Sequence, residues 1–260
     1  MSATSGPSGA MPLNPATTMF DFSGRVVLVT GATGGIGRVT SLLFAEMGAE
    51  LALVGRNADK LQRVTAEVAA VGGRVVPIVT DIKDPAACEA AITATGDRLG
   101  RLDVLVNNAG GSRTKPFDET ELRDFEDMVA LNLRGPWVLS MAARDLLAAG
   151  GGGCIVNISS MASLRAVEHS SPYGMAKAGL NNMTMVMASA LHDRSIRVNC
   201  LALGVIKTAG FYRSMDVMGI DASAVAGGRP EDVAWAIAYL ASPASPFLNG
   251  VTIRLDGGLS

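Results

Sequence analysis

Arg25–Gly37 reads RVVLVTGATGGIG, and this stretch decides the fold. Its first half, Arg25 to Thr30, is an almost unbroken β-branched and aliphatic run, the pattern of a strand buried on both faces. Gly31, Gly34, Gly35 and Gly37 follow, and then an amphipathic stretch that ends at Met47-Gly48. Strand, glycine turn and helix therefore succeed one another directly. Glycines at such a turn let the backbone approach a pyrophosphate closely, and the helix start offers it free N–H groups and a partial positive charge. The competing reading is a plain glycine-rich turn.

Downstream, the second strand, Glu50 to Val54, runs into Gly55-Arg56-Asn57. In dinucleotide-binding folds an acid at this distance from the glycine turn binds the ribose 2'-hydroxyl of NAD, whereas an arginine accommodates a 2'-phosphate. Here the acid is missing and Arg56 is present, which favours NADP(H) over NAD(H) by charge. A solvent-facing residue at a helix start is the alternative for Arg56. Helical and strand patterns then alternate: a helix to Val71, a strand Arg74 to Thr80, a helix Pro85 to Leu99 and a strand Val104 to Asn107. Such alternation predicts one α/β domain with a parallel sheet and helices on both faces. Asp81 and Asn107-Asn108-Ala109-Gly110 follow the third and fourth strands, at the edge where ligands of such sheets bind.

A long helix is expected from Asp118 to Ala148, with Leu122, Phe125, Val129 and Leu133 as its apolar stripe. Pro136 interrupts it. Proline has no N–H to return to the carbonyl of Asn132, so a kink is predicted there. Cys154 to Ser160 is then a strand that leads through a loop to a helix carrying Tyr173 and Lys177. Four residues apart, these two side chains share a helix face. An ammonium beside a phenol lowers its pKa from near 10, which suits proton transfer. Ser159 and Ser160 at the strand end bring a hydroxyl to the tyrosine. Further on come a strand, Ser195 to Ala202, and an irregular apolar segment, Ala209 to Gly228, read as a lid. A helix, Pro230 to Leu240, and a strand, Val251 to Leu255, close the domain.

Composition excludes several classes of function. The chain has 260 residues, a net charge of -2, no run of like charges and 5% aromatics, so no footprint for nucleic acid is visible. No apolar run approaches the roughly 20 residues that span a bilayer. Cys88, Cys154 and Cys200 form no C-x-x-C pair and read as reduced, buried thiols of a cytoplasmic protein. His169 and His192 have no partner at metal-ligand spacing, so no metal is expected. Residues 1–20, rich in Ser, Ala, Thr, Gly and Pro, read as a disordered leader, leaving 21–260 as the single domain.

In order and spacing, Thr30-Gly31-x-x-x-Gly35-Ile36-Gly37, Asp81, Asn107-Asn108-Ala109-Gly110, Asn132, Ser160, Tyr173-x-x-x-Lys177, Asn199 and Gly204-x-x-x-Thr208 resemble the short-chain dehydrogenase/reductase family from Phe22 onward. The resemblance implies a Rossmann-like, doubly wound sheet of about seven strands in the order 3-2-1-4-5-6-7. It implies that Tyr173 is the general acid or base, that Ser160, thirteen residues before it, binds the substrate oxygen, and that Lys177 holds the nicotinamide ribose and lowers the tyrosine pKa. Asn132 would hold a relay water through its main-chain carbonyl. Gly31, Thr33, Gly35, Ile36 and Gly37 would cradle the pyrophosphate, and Asp81 and Ile82 the adenine. Asn108, Ala109 and Gly110 would line the adenine ribose, and Gly204, Ile206 and Thr208 the nicotinamide side. Two departures stand out: Leu203 occupies a place where many members have proline, and no basic residue lies inside the glycine loop, leaving Arg56, with help from Arg38, to meet a 2'-phosphate.

The function implied is hydride transfer between a nicotinamide and a secondary alcohol or ketone, with an apolar or bulky substrate suggested by the lid, Met161 and Leu164. A 3-oxoacyl-carrier-protein reductase is the alternative, with Arg113, Lys115 and Arg165 available to an acidic carrier. A non-catalytic nucleotide sensor is the third reading. The family's dimers pair the helices that start here at Asp118 and Ser171, so a homodimer or homotetramer is expected.

Overall fold

The computed structural model describes residues 19–259. All but the last two residues of the expected leader lie outside that range, and of these two Phe20 packs edge-on against Trp235, ring centroids 5.9 Å apart. Seven parallel strands form one sheet in the order β3-β2-β1-β4-β5-β6-β7. They are β1 (Val26–Thr30), β2 (Glu50–Gly55), β3 (Val75–Val79), β4 (Val104–Asn107), β5 (Gly153–Ser160), β6 (Ile196–Leu203) and β7 (Thr252–Leu255).

Strand alternation divides the core into two layers. Val27, Val29, Leu51, Leu53, Val104 and Val106 turn to one side of the sheet. There they meet Phe44 of α1 (Gly35–Glu46), Leu61 of α2 (Ala58–Ala70) and Ile237 of α8 (Pro230–Ala241). Their neighbours Val26, Leu28, Ala52, Val54 and Leu105 turn to the other side. That layer is closed by Ile92 of α3 (Pro85–Leu99), Leu139 of α5 (Gly135–Ala149) and Leu180 of α6 (Ser171–Ala190). The continuous apolar strands follow from this, because neither face of the sheet meets water. Each fully buried Leu, Val or Ile contributes about 1.5–3 kcal/mol. The chain winds outward from β1 to β3 and returns to pair β4 with β1, so a crevice opens at the carboxyl ends of those two strands.

Two expected elements differ in form. The long helix is broken into α4 (Leu122–Val129), a π-helical turn Ala130–Arg134 and α5. The Gly135 N–H donates to the Ala130 carbonyl five residues back, and Pro136 stands in the first turn of α5. The break anticipated at Pro136 is therefore a π bulge with Asn132 at its centre, since a residue without an N–H cannot continue the α ladder. The segment read as irregular holds a helix, α7 (Ala209–Met218). Its ends were written in local chemistry: the Thr208 hydroxyl accepts the Phe211 N–H, and Gly219 closes the helix at φ +65°. Leu203, the last residue of β6, is buried between Ser160 and Leu255 in the sheet register.

Candidate active site

The glycine turn occupies the crevice between β1 and β4. Gly31 has φ +65°, and a Cβ there would meet the Ala109 Cα at 2.8 Å, so the two loops that leave β1 and β4 touch only because this residue is glycine. Thr30 completes the junction: its hydroxyl donates to the Val106 carbonyl and accepts the N–H groups of Asn108 and Ala109. The Asn108 amide donates back to the Thr30 carbonyl at 2.8 Å. No side chain caps α1 at Gly34, which leaves the N–H groups of its first turn without a side-chain acceptor.

Above this turn lies a groove of about 600 Å³, within the range of small-molecule sites. Gly31, Thr33, Gly35, Ile36 and Gly37 line it from one strand end, and Ile82, Asn108, Ala109 and Gly110 from the others, with Arg56 and Thr208 at the margins. A glycine-lined groove over an uncapped helix start fits the pyrophosphate of a dinucleotide. Asp81 stands beside the groove, its carboxylate accepting the Lys83 N–H and facing Arg56 at 3.9 Å. Gly204 and Ile206 are not among the lining residues. Gly204 is packed against the Asp256 backbone, and Ile206 bridges to Gly228 while covering the core. Arg38, expected to help Arg56, is instead taken up by Glu67 of α2. Six lining residues, Val54, Gly55, Asn57, Lys60, Thr80 and Leu131, escaped the sequence reading as site residues, and of these Asn57 and Lys60 bring an amide and an ammonium group. Asn57 caps α2 by accepting the Lys60 N–H, so the cap sets the Lys60 backbone at the same margin as Arg56.

Ser160, Tyr173 and Lys177 converge at the neighbouring strand ends. The Lys177 Nζ lies 5.8 Å from the centroid of the Tyr173 ring, and a Cβ on Gly110 would meet that Nζ at 3.2 Å. The two serines at the end of β5 separate cleanly. Ser159 is buried, with its hydroxyl directed to Ser163 and to the Lys177 carbonyl. Ser160 is half-buried and its hydroxyl stands next to Tyr173, where it opposes the upward shift of the phenol. Asn132 is fully buried, and its side chain clamps the chain after β4. It accepts the Gly111 N–H at 3.2 Å and donates to the Gly111 carbonyl at 3.0 Å.

Electrostatics here run against one expectation. Burial raises the Tyr173 pKa above 10.0, and only the Ser160 hydroxyl opposes it. Lys177 does not offset this, because it is itself desolvated: 3% exposed, it donates to the Ile158 carbonyl at 2.6 Å, and burial pushes its pKa down to about 8. At the entrance, Arg113 pairs with Asp124 and Asp127, and Lys115 with Asp124 and Glu121, so those cations are neutralised locally. Arg165 and Leu164 are exposed at the mouth, whereas Met161 is buried. The three cysteines are free and buried, with thiols pushed up to about 11 by desolvation. Among the described residues no helix is long and apolar enough to cross a membrane, and no cluster of side chains is built for a metal ion.

Known proteins resemble this chain in sequence and fold. Residues 25–216 match the family model described as short chain dehydrogenase. D-threitol dehydrogenase of Mycolicibacterium smegmatis is 34% identical over 246 residues, covering 92% of this chain and 95% of the relative. A 3-oxoacyl-[acyl-carrier-protein] reductase of Thermotoga maritima is 33% identical over 240 residues, covering 91% and 98%. A solved 7α-hydroxysteroid dehydrogenase, in complex with NADH and 7-oxo glycochenodeoxycholic acid, superimposes with a TM-score of 0.85 at 30% identity, covering 92% of this chain and 96% of that one. With the sheet order, the groove and these likenesses in agreement, the chain belongs to the short-chain dehydrogenase/reductase family and is an oxidoreductase of alcohol or ketone groups that uses a nicotinamide cofactor.

Proposed function

We propose that this protein is an NADP(H)-dependent reductase of ketones, and in reverse a dehydrogenase of secondary alcohols, with Tyr173 as the proton donor and acceptor. The observation that carries the reading is the convergence of Ser160, Tyr173 and Lys177 beside a glycine-lined groove. When bound, the nicotinamide supplies or accepts the hydride. Ser160 donates a hydrogen bond to the substrate oxygen and fixes its orientation. Tyr173 gives that oxygen a proton in reduction and removes one in oxidation, and burial keeps the phenol in its proton-carrying form. Lys177 anchors a ribose hydroxyl, and its pKa near 8 lets it pass a proton on to solvent. Asn132 fixes the loop at Gly111, while its main-chain carbonyl, to which Pro136 can offer no N–H, holds a water toward Lys177.

Arg56, Asn57 and Lys60 form the groove margin that would hold the 2'-phosphate. Leu164 and Val167, exposed on the loop before α6, and Tyr212 on α7 support an apolar substrate and a lid over residues 209–228. Exposed Met175, Met185 and Val186 on α6, with Leu122, Phe125 and Trp137 on α4 and α5, support a homo-oligomer built on those helices, whereas Met183 and Met187 serve the core. Reduction of a carrier-bound 3-oxoacyl group has support from the Thermotoga maritima relative. The pairing of Arg113 and Lys115 with acids weighs against a carrier-docking surface at this entrance.

Titration of NADPH and NADH into the purified protein tests the reading, followed by turnover on ketones and acyl thioesters. Tighter NADPH binding that is lost in Arg56→Ala, with turnover of ketones, is the expected result. Preference for NADH overturns the role of Arg56, and failure to bind either overturns the whole reading.

A further inference from the structure

We propose that a second cavity, at the amino ends of β1, β4, β5 and β6, is a binding site for a small phosphate-bearing anion. It encloses about 450 Å³ and lies at the opposite edge of the sheet from the glycine groove, since all seven strands are parallel. Three arginines, Arg25, Arg101 and Arg197, line it against one carboxylate, Asp103.

Each of these charges is accounted for differently. Asp103 is 4% exposed and spent: it accepts two hydrogen bonds from Arg101, at 2.8 and 2.6 Å, and the Val26 N–H at 2.8 Å. Arg197 is fixed by carbonyl oxygens only, those of Leu240, Ser242 and Leu248, which orient its guanidinium without neutralising it. The Arg25 side chain makes no hydrogen bond or ion pair among the described residues, and its field reaches Asp21, outside the cavity wall, whose carboxyl it helps to lower after the larger effect of Ser23. The cavity thus holds two more positive charges than its one carboxylate balances.

The backbone adds a donor. Gly152 has φ +112°, and its N–H finds no acceptor among the described residues. Ser195, itself at φ +58°, packs so closely against Gly152 that no side chain fits there, which fixes this wall. The open Arg25 fork, with the charges of Arg101 and Arg197 and an unpaired N–H on a close-packed glycine turn, suits a tetrahedral, multiply charged oxyanion. The volume exceeds what an orthophosphate fills, so the class is a phosphorylated small molecule or a pyrophosphate.

Calorimetric titration of inorganic pyrophosphate into the full chain saturated with NADPH or NADH tests this, with Arg25→Gln run in parallel; the nicotinamide cofactor fills the glycine groove, which also suits that probe. Arg25→Gln is expected to weaken binding about tenfold or more, the loss of charge-assisted hydrogen bonds. With the groove filled by cofactor, it should also remove the further rise in melting temperature that pyrophosphate gives the wild type. Arg25→Gln should melt close to wild type without ligand, since no side-chain hydrogen bond or ion pair is lost and the attraction to exposed Asp21 is only the smallest influence on that carboxyl. Equal affinity in Arg25→Gln, or no pyrophosphate binding once cofactor fills the glycine groove, overturns the proposal.

Discussion

The two edges of the sheet treat cations in opposite ways. At the carboxyl edge Lys177 is taken out of water, and its pKa falls to about 8. At the amino edge Arg25, Arg101 and Arg197 stay charged around a cavity, because a guanidinium does not give up its proton in a protein. The contrast teaches which cation serves which purpose. A lysine can be tuned by burial into a group that gains and loses a proton near physiological pH, whereas arginines hold a permanent field for an anion.

The carboxyl edge yields the largest expected effects. Tyr173→Phe removes the proposed proton donor and should lower turnover by about 10²–10⁴-fold while cofactor affinity is unchanged, which steady-state kinetics and a binding titration read together. Undiminished turnover would move the chemistry to another residue. Since burial raises the tyrosine pKa, the phenolate is the minor species at neutral pH. Alcohol oxidation should therefore speed up as pH rises, and ketone reduction should stay level through neutrality. An oxidation rate that is flat with pH would sink this assignment.

Lys177→Met sharpens the contrast through stability. Folded Lys177 titrates near 8 against an ordinary 10.5, so the unfolded chain binds more protons between those values. Wild-type stability should then climb from pH 8 to 10.5, and below that window it carries a penalty of about 3 kcal/mol. The variant lacks both the penalty and the climb, but it leaves the Ile158 carbonyl without its donor. A net gain of about 1 kcal/mol at neutral pH, with turnover lost, is expected from urea unfolding. A less stable variant, or one whose stability still climbs across the window, would show that the buried ammonium is not the titrating group.

What could be read beforehand followed a physical rule. Arg25–Gly37 disclosed the fold because a strand buried on both faces and a glycine turn leave a local signature, and Pro136 disclosed a break because the lack of an N–H is also local. The form of that break, a π turn centred on Asn132, depends on Gly135 lying against the Ile82 carbonyl, a contact between elements distant in sequence. Residues Ala209–Met218 show no strong stripe, yet they form a helix whose caps, Thr208 and Gly219, were legible one at a time. The raised tyrosine pKa, opposite to what the Tyr173–Lys177 spacing predicts, has a related origin. Spacing placed a lysine beside the phenol, but burial of both groups, and the Ile158 carbonyl that claims the ammonium, arise only from packing.

The smallest expected effect tests what the spacing missed. Lys60 lies at the groove margin with Arg56, but it is exposed, so water and salt screen its charge. Arg56 presents a two-pronged donor, and the nearest carboxylate, Asp81, is 3.9 Å away, too far for a strong pair. Removing Arg56 should therefore cost NADPH affinity about tenfold. Lys60→Ala should cost only about 0.5–1 kcal/mol, a few-fold in Kd, as exposed charge pairs do. The loss should be confined to NADPH, because NADH carries no 2'-phosphate, and it should shrink as salt is added. Equal loss for NADH would mean that Lys60 acts through the Asn57 cap and the shape of α2 rather than through its charge, and the Asn57→Ala variant would then reproduce it.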